Sequence, residues 1–195
     1  DGDLITFQPV QSTRGEKLST SLIRETLLAN LREDLKQLGI CPKSIVFHRD
    51  GRVFRSEAKG ICDALDILKE ENLLASELRY AIVEIHKTSS SKPRLYKWAG
   101  TRFDNPEMGL FAQLSNFEGV LATTGAPLLN RGTAQPLSIE IFKGNIDLID
   151  VAHDIYMLTH LAFASPGSSM SLPFTIELAD KILRESSPGE KISWW

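Results

Sequence analysis

Alternating helix and strand patterns through the first half of the chain predict an α/β domain with an at least partly parallel sheet. Three observations carry that reading. A long amphipathic segment from Leu18 to Leu38 sets Leu28, Leu31, Leu35 and Leu38 at three- and four-residue steps with charges between them. After a short break, Ser44-Ile-Val-Phe-His48 reads as a buried strand. The same order then recurs, with a helical pattern from about Glu57 to Leu74 and an apolar run from Arg79 to His86.

Each element has a local cause. Ser19 or Thr20 offers a side-chain oxygen to the start of the first helix, and Gly39 followed by Pro42 stops it. Arg49-Asp50-Gly51 ends the first strand in a turn. In the second helix Ile61, Leu65 and Leu68 share one face. Ala81-Ile-Val83 and Ile85 form the near-continuous apolar run of a strand covered on both sides. Lys87 to Asn116 is rich in Ser, Pro, Gly and basic residues and reads as mostly loop. Strands resume at Gly119–Thr123 and Leu137–Phe142, and two helices, Leu148–Ala164 and Phe174 to about Glu185, close the chain.

A length of 195 residues suits one sizeable domain. With 42% hydrophobic and 24% charged residues the composition is that of a folded soluble protein, which excludes disorder, collagen-like repeats and a pure coiled coil. Two cysteines, Cys41 and Cys62, are too few for a metal knuckle or a disulfide framework and fit small core positions in a reducing cytoplasm. Ile155–Ile176 lacks charge, but Pro166, Gly167 and Pro173 exclude a membrane span. The chain opens on Asp1 with no secretory leader, as expected of a processed chain or a piece of a longer one.

The net charge of −3 argues mildly against nucleic acid as a partner. Local charge argues the other way. From Arg79 to Arg102 there are six basic residues against the single acid Glu84. A solvated basic loop is the plain reading. Tyr96 and Trp98, interleaved with the cations, favour a strand-binding loop because flat rings stack on bases.

Three acids stand out. Asp50 lies at the C-terminal end of a buried strand, where open α/β sheets place ligands and catalytic groups, although Asp-Gly is also a common turn pair. Asp180 sits beside the apolar face traced by Ile176, Ala179, Ile182 and Leu183, where an ordinary solvated carboxylate is the plain alternative. Glu16 taken alone is a helix-entry acid. His48, His86, His153 and His160 show no ligand spacing and read as structural or surface residues.

In order, Arg14-Gly-Glu-Lys-Leu18, the long helix, Pro42 and Ile45-Val-Phe-His-Arg-Asp-Gly51 resemble the PIWI domain of prokaryotic Argonaute proteins. Val83-Glu-Ile-His-Lys87 with Arg94-Leu-Tyr96 is similar to that domain's strand and basic loop, and Arg131-Gly-Thr-Ala-Gln-Pro136 to its Gly-Thr-x-x-Pro turn. Asp154–His160, Ser171-Leu-Pro173 and Ala179-Asp180 are similar to its closing helices. The resemblance covers essentially the whole chain, read as 1–195 of one such domain, its C-terminal portion.

The resemblance implies a ribonuclease H-like fold and a tetrad of Asp, a mobile Glu, Asp, and Asp or His. Glu16 falls on the mobile glutamate, Asp50 on the strand-end aspartate and Asp180 on the last member. Two Mg²⁺ or Mn²⁺ ions held by such carboxylates would stabilise both oxygens of an in-line phosphodiester displacement. Arg94 falls on a guide-phosphate contact, with Lys87, Arg131, Ser171, Lys181 and Arg184 as further nucleic-acid contacts. The carboxylate of Trp195 falls where a further divalent ion would hold the guide 5′-phosphate. The tetrad's first aspartate finds no match, so the first strand, a central sheet member, is expected to be missing together with the MID, PAZ and N-terminal lobes.

The expected partners are a short guide and its complementary RNA or DNA target, in the cytoplasm and without a membrane. Two rival readings remain: an Argonaute module that binds guide and target without cutting, and an ordinary α/β interaction domain.

Overall fold

The computed structural model describes residues 17–39, 41–87, 93–124, 133–161 and 171–185. The elements are α1 (Thr20–Leu38), β1 (Ser44–Asp50), α2 (Arg55–Glu70), β2 (Arg79–His86), β3 (Lys97–Trp98), β4 (Phe103–Asp104), β5 (Phe111–Gln113), β6 (Glu118–Leu121), β7 (Leu137–Gly144), α3 (Leu148–Thr159) and α4 (Phe174–Glu185). Five strands pair in the order β1-β2-β7-β6-β5, and β3 pairs with β4. Lys43 O accepts from Arg79 N at one end of β1 and Ile85 O from Gly51 N at the other, so β1 and β2 run parallel. Tyr80 O accepts from Asn145 N, which brings the end of β7 to the start of β2 and makes that pair antiparallel. β7, β6 and β5 pair antiparallel, with Leu137 opposite Leu121 and Ala112 opposite Val120. The sheet is therefore mixed.

Among the described residues, contacts within the chain define two units, one comprising residues 17–39, 41–47, 53–82 and 143–145, the other the remaining described residues. The first is built on α1 and α2. Ser19 caps α1 by accepting from Leu22 N, and Gly39 ends it at φ 59, a left-handed conformation that costs glycine little. Leu28 and Leu35 of α1 pack with Ile61, Leu65 and Leu68 of α2 and Ile82 of β2. The helix entries are tied by polar bonds. Buried Glu57 accepts from Leu18 N and Phe54 N, both at 3.1 Å, while Thr20 Oγ1 donates to Ser56 O and Ser56 Oγ to Leu18 O. Gly60 lets the helices touch: a Cβ there would meet Thr20 O at 2.6 Å.

α2 starts two residues before the expected Glu57, because Phe54 and Glu57 form its first turn. It stops at Glu70, and Leu74 is buried beyond a turn through Asn72, whose φ is 58. The apolar periodicity at its end thus belongs to a loop that folds back on the core. Cys62 is half-buried beside Tyr80 as expected, but Cys41 is exposed, because it follows the end of α1 in the connection to β1.

In the second unit, α3 ends at Thr159, whose hydroxyl donates to Tyr156 O, and residues 162–164 of the expected helix lie outside the described residues. The stretch read as loop contains β3, β4 and β5, strands of two or three residues. They are too short to show periodicity and depend on pairing. The sheet is continuous from β1 to β5 among the described residues.

Candidate functional site

β1 runs on to Asp50, two residues past the expected end, so that His48 and Asp50 lie on one face by the two-residue period of a strand. Gly51, at φ 80, turns the chain away directly afterwards. The Arg49 guanidinium donates to Asp50 O at 2.5 Å and closes the strand end. His48 Nδ1 lies 2.8 Å from the hydroxyl of Thr175, near the start of α4, and burial pushes its pKa down to about 4. The imidazole is therefore neutral at pH 7.

Farther along α4, the Asp180 carboxylate meets the residue that follows β2. Lys87 Nζ donates to Asp180 Oδ2 at 2.5 Å and stands 3.1 Å from Asp50 Oδ2. Burial lowers the Lys87 pKa, but the bonds to Asp180 and Asp50 outweigh it and the net shift is upward. The ammonium stays charged between two carboxylates. Arg184 Nη2, one helical turn beyond Asp180, lies 3.9 Å from the same Oδ2. All three side chains remain open to solvent, with Asp50 37% and Asp180 23% exposed. Glu177, Asp180, Lys181 and Arg184 line a shallow open cleft.

A hard divalent ion fits this donor set. Two carboxylate oxygens already enclose one cationic position, here filled by an ammonium, and hard oxygen ligands are those that Mg²⁺ and Mn²⁺ take. Asp50 and Asp180 would hold the ion.

The other sequence candidates fare unequally. Lys87, expected on phosphate, sits on the acids. Arg94 is exposed, and its Nη1 donates to Thr133 O at 2.5 Å. Ser171 is exposed, with its carbonyl bonded to Thr123 Oγ1, and Lys181 is exposed on α4. Glu16, Arg131 and Trp195 lie outside the described residues. The basic segment is less charged than its count suggests, because Lys97 pairs with Glu107 and Arg102 with Asp104, acids just beyond the window. Tyr96, Trp98 and Phe103 stay more than half exposed, with the Tyr96 and Trp98 ring centroids each 4.8 Å from that of Phe103.

Sequence reasoning missed one cluster. Ligand atoms of Glu84, His86 and Glu140 lie within 4.8 Å of one another, and His86 Nε2 is 3.1 Å from Glu84 Oε2. The alternation Glu84-x-His86 on a strand was the available signal.

No family model matches the sequence. The chain is 28% identical over 185 residues to the protein argonaute of Thermus thermophilus, covering 95% of this chain and 25% of that protein. It is 24% identical over 191 residues to the protein argonaute of Synechococcus elongatus, covering 95% of this chain and 24% of that protein. A solved structure of Clostridium butyricum Argonaute bound to a guide DNA and a 19-mer target DNA superposes with a TM-score of 0.66 at 26% identity, over 87% of this chain and 21% of that one. This is the fold of an Argonaute PIWI domain. The chain spans about a quarter of the length of the curated Argonaute relatives it matches. The ribonuclease H-like character of PIWI agrees with the mixed sheet flanked by helices. No described helix is long and apolar enough to cross a membrane.

Proposed function

We propose that residues 1–195 form the C-terminal portion of the PIWI domain of an Argonaute that binds a short guide strand, pairs it with a target and cuts the target. The observation that carries this reading is the convergence of Asp50 and Asp180, from the end of β1 and the middle of α4, on a single cation. Divalent ions of the Mg²⁺ or Mn²⁺ kind supply Lewis-acid stabilisation of the attacking and leaving oxygens of a phosphodiester. Asp50 and Asp180 hold such ions, and Glu16 completes the acidic set. Neutral His48, bonded to Thr175, ties the end of β1 to α4. Arg94, Lys181 and Arg184 contribute positive charge toward phosphates, and Tyr96 and Trp98 offer stacking faces. Arg131 and Ser171 belong to the same set of nucleic-acid contacts.

One observation favours the rival, a module that binds without cutting: the Lys87 ammonium neutralises the very carboxylates that would take metal. Cleavage decides. The full-length protein is loaded with a guide and given a matched end-labelled target with Mn²⁺ or Mg²⁺. Cutting at one position, abolished by Asp50→Ala or Asp180→Ala with guide loading retained, is the expected result. Binding without cutting in either metal supports the rival, and no binding even at low salt removes both.

A further inference from the structure

Two cations cannot occupy one position between two carboxylates. Lys87 Nζ lies 3.1 Å from Asp50 Oδ2 and 2.5 Å from Asp180 Oδ2. A divalent ion bonded to both oxygens at roughly 2.0–2.2 Å would take the space of the ammonium and repel it. The lysine has somewhere to go. Its side chain is 35% exposed, it follows the last residue of β2, and its four-carbon stem is flexible. We propose that Lys87 is a displaceable counterion of the Asp50–Asp180 pair: metal entry expels the ammonium, and the freed charge is then taken up by a phosphate of the bound nucleic acid. This rests on the reading of Asp50 and Asp180 as metal-holding carboxylates and adds to it a coupling between metal and nucleic acid.

The coupling has a definite direction. Without metal the ammonium is engaged on the acids and contributes little to phosphate binding. With metal it is released, so metal tightens nucleic-acid binding and, by reciprocity, nucleic acid tightens metal binding. Lys87 acts here as a positioning residue, since it sets which cation the acids hold.

Mn²⁺ binding to the full-length protein, followed by the electron paramagnetic resonance signal of free Mn²⁺, tests the displacement. Lys87→Ala should bind Mn²⁺ about tenfold more tightly than wild type, because no resident cation has to leave. Lys87→Arg, which keeps the charge, should stay within about twofold of wild type. Equal or weaker binding by Lys87→Ala overturns the proposal. Asp50→Asn and Asp180→Asn distinguish its failure from that of the underlying reading. If they abolish this Mn²⁺ binding while Lys87→Ala leaves it unchanged, the metal site stands and the displacement falls; if they leave it intact, the metal site itself is wrong.

A second readout follows the released charge. The slope of log affinity against log salt for a guide–target DNA duplex should steepen by about 0.9 on adding Mn²⁺ to wild type, the mark of one added phosphate contact. It should not change in Lys87→Ala. Equal steepening in both proteins overturns the transfer of charge to phosphate.

Discussion

Replacing Gly60 by alanine sets two effects of opposite sign against each other, and the packing of α1 on α2 decides between them. In an exposed helix interior the change favours the folded state by about 1 kcal/mol, since alanine is the better helix former. At Gly60 a Cβ would stand 2.6 Å from Thr20 O and 2.9 Å from Ile23 Cβ. The nearest atom is backbone at the start of α1, where Thr20 Oγ1 is bonded to Ser56 O and Leu18 N to Glu57, so it cannot step aside alone. Overpacking of this kind costs about 1–3 kcal/mol, or somewhat more where a backbone has to move. The expected net result is a loss of about 1–2 kcal/mol, confined to the α1–α2 pair. Amide hydrogen exchange on the full-length protein reads it as about 5- to 30-fold faster exchange in peptides from α1 and α2, with β6 and β7 unchanged. Unchanged or slower exchange in α1 would refute the close approach and leave helix propensity as the dominant effect.

Glu57→Gln keeps one acceptor for the N–H groups of Leu18 and Phe54 and loses the other, which should cost about 1–3 kcal/mol and show as faster exchange at the start of α2. Slow exchange there would mean that the carboxylate is dispensable. Arg94→Ala should weaken duplex binding evenly across sequences and flatten the salt slope by about 0.9; an unchanged slope places Arg94 outside the nucleic-acid channel. His48 makes the fold acid-sensitive. Its folded pKa of about 4 lies below the ordinary 6.5, so the unfolded chain takes up the proton first. Stability from this group is complete above about pH 6.5 and is lost as pH falls toward 4. The measured difference in stability between pH 7 and pH 4.5 should be smaller in His48→Gln than in wild type, and an equal difference would show that His48 protonates freely in the folded state.

What was legible in the sequence follows from range. The bounds of β2 and α4 were readable because a near-continuous apolar run and a clean helical face write themselves locally. Asp50 stood out because a strand end followed by Gly51 is a local signature. β3, β4 and β5 were not readable, since two- and three-residue strands exist only through their partners. The same limit hid the role of Lys87. The family resemblance puts it with Arg94 on phosphate, and only the fold brings it to Asp180, 93 residues away. The basic loop was overcounted for a related reason, as Asp104 and Glu107 answer Arg102 and Lys97 from just outside the segment. Glu140 could not be joined to Glu84 and His86 without the pairing order of the sheet, which puts β7 beside β2.

Asp50 and Asp180 are proposed as the metal-holding carboxylates of a nuclease site. Anomalous diffraction from crystals of the full-length protein with guide, target and Mn²⁺ tests it most directly. The expected result is an ion bonded to both Asp50 and Asp180, with the Lys87 ammonium moved off them. Mn²⁺ bound elsewhere, with Lys87 still joining the two carboxylates, would contradict it.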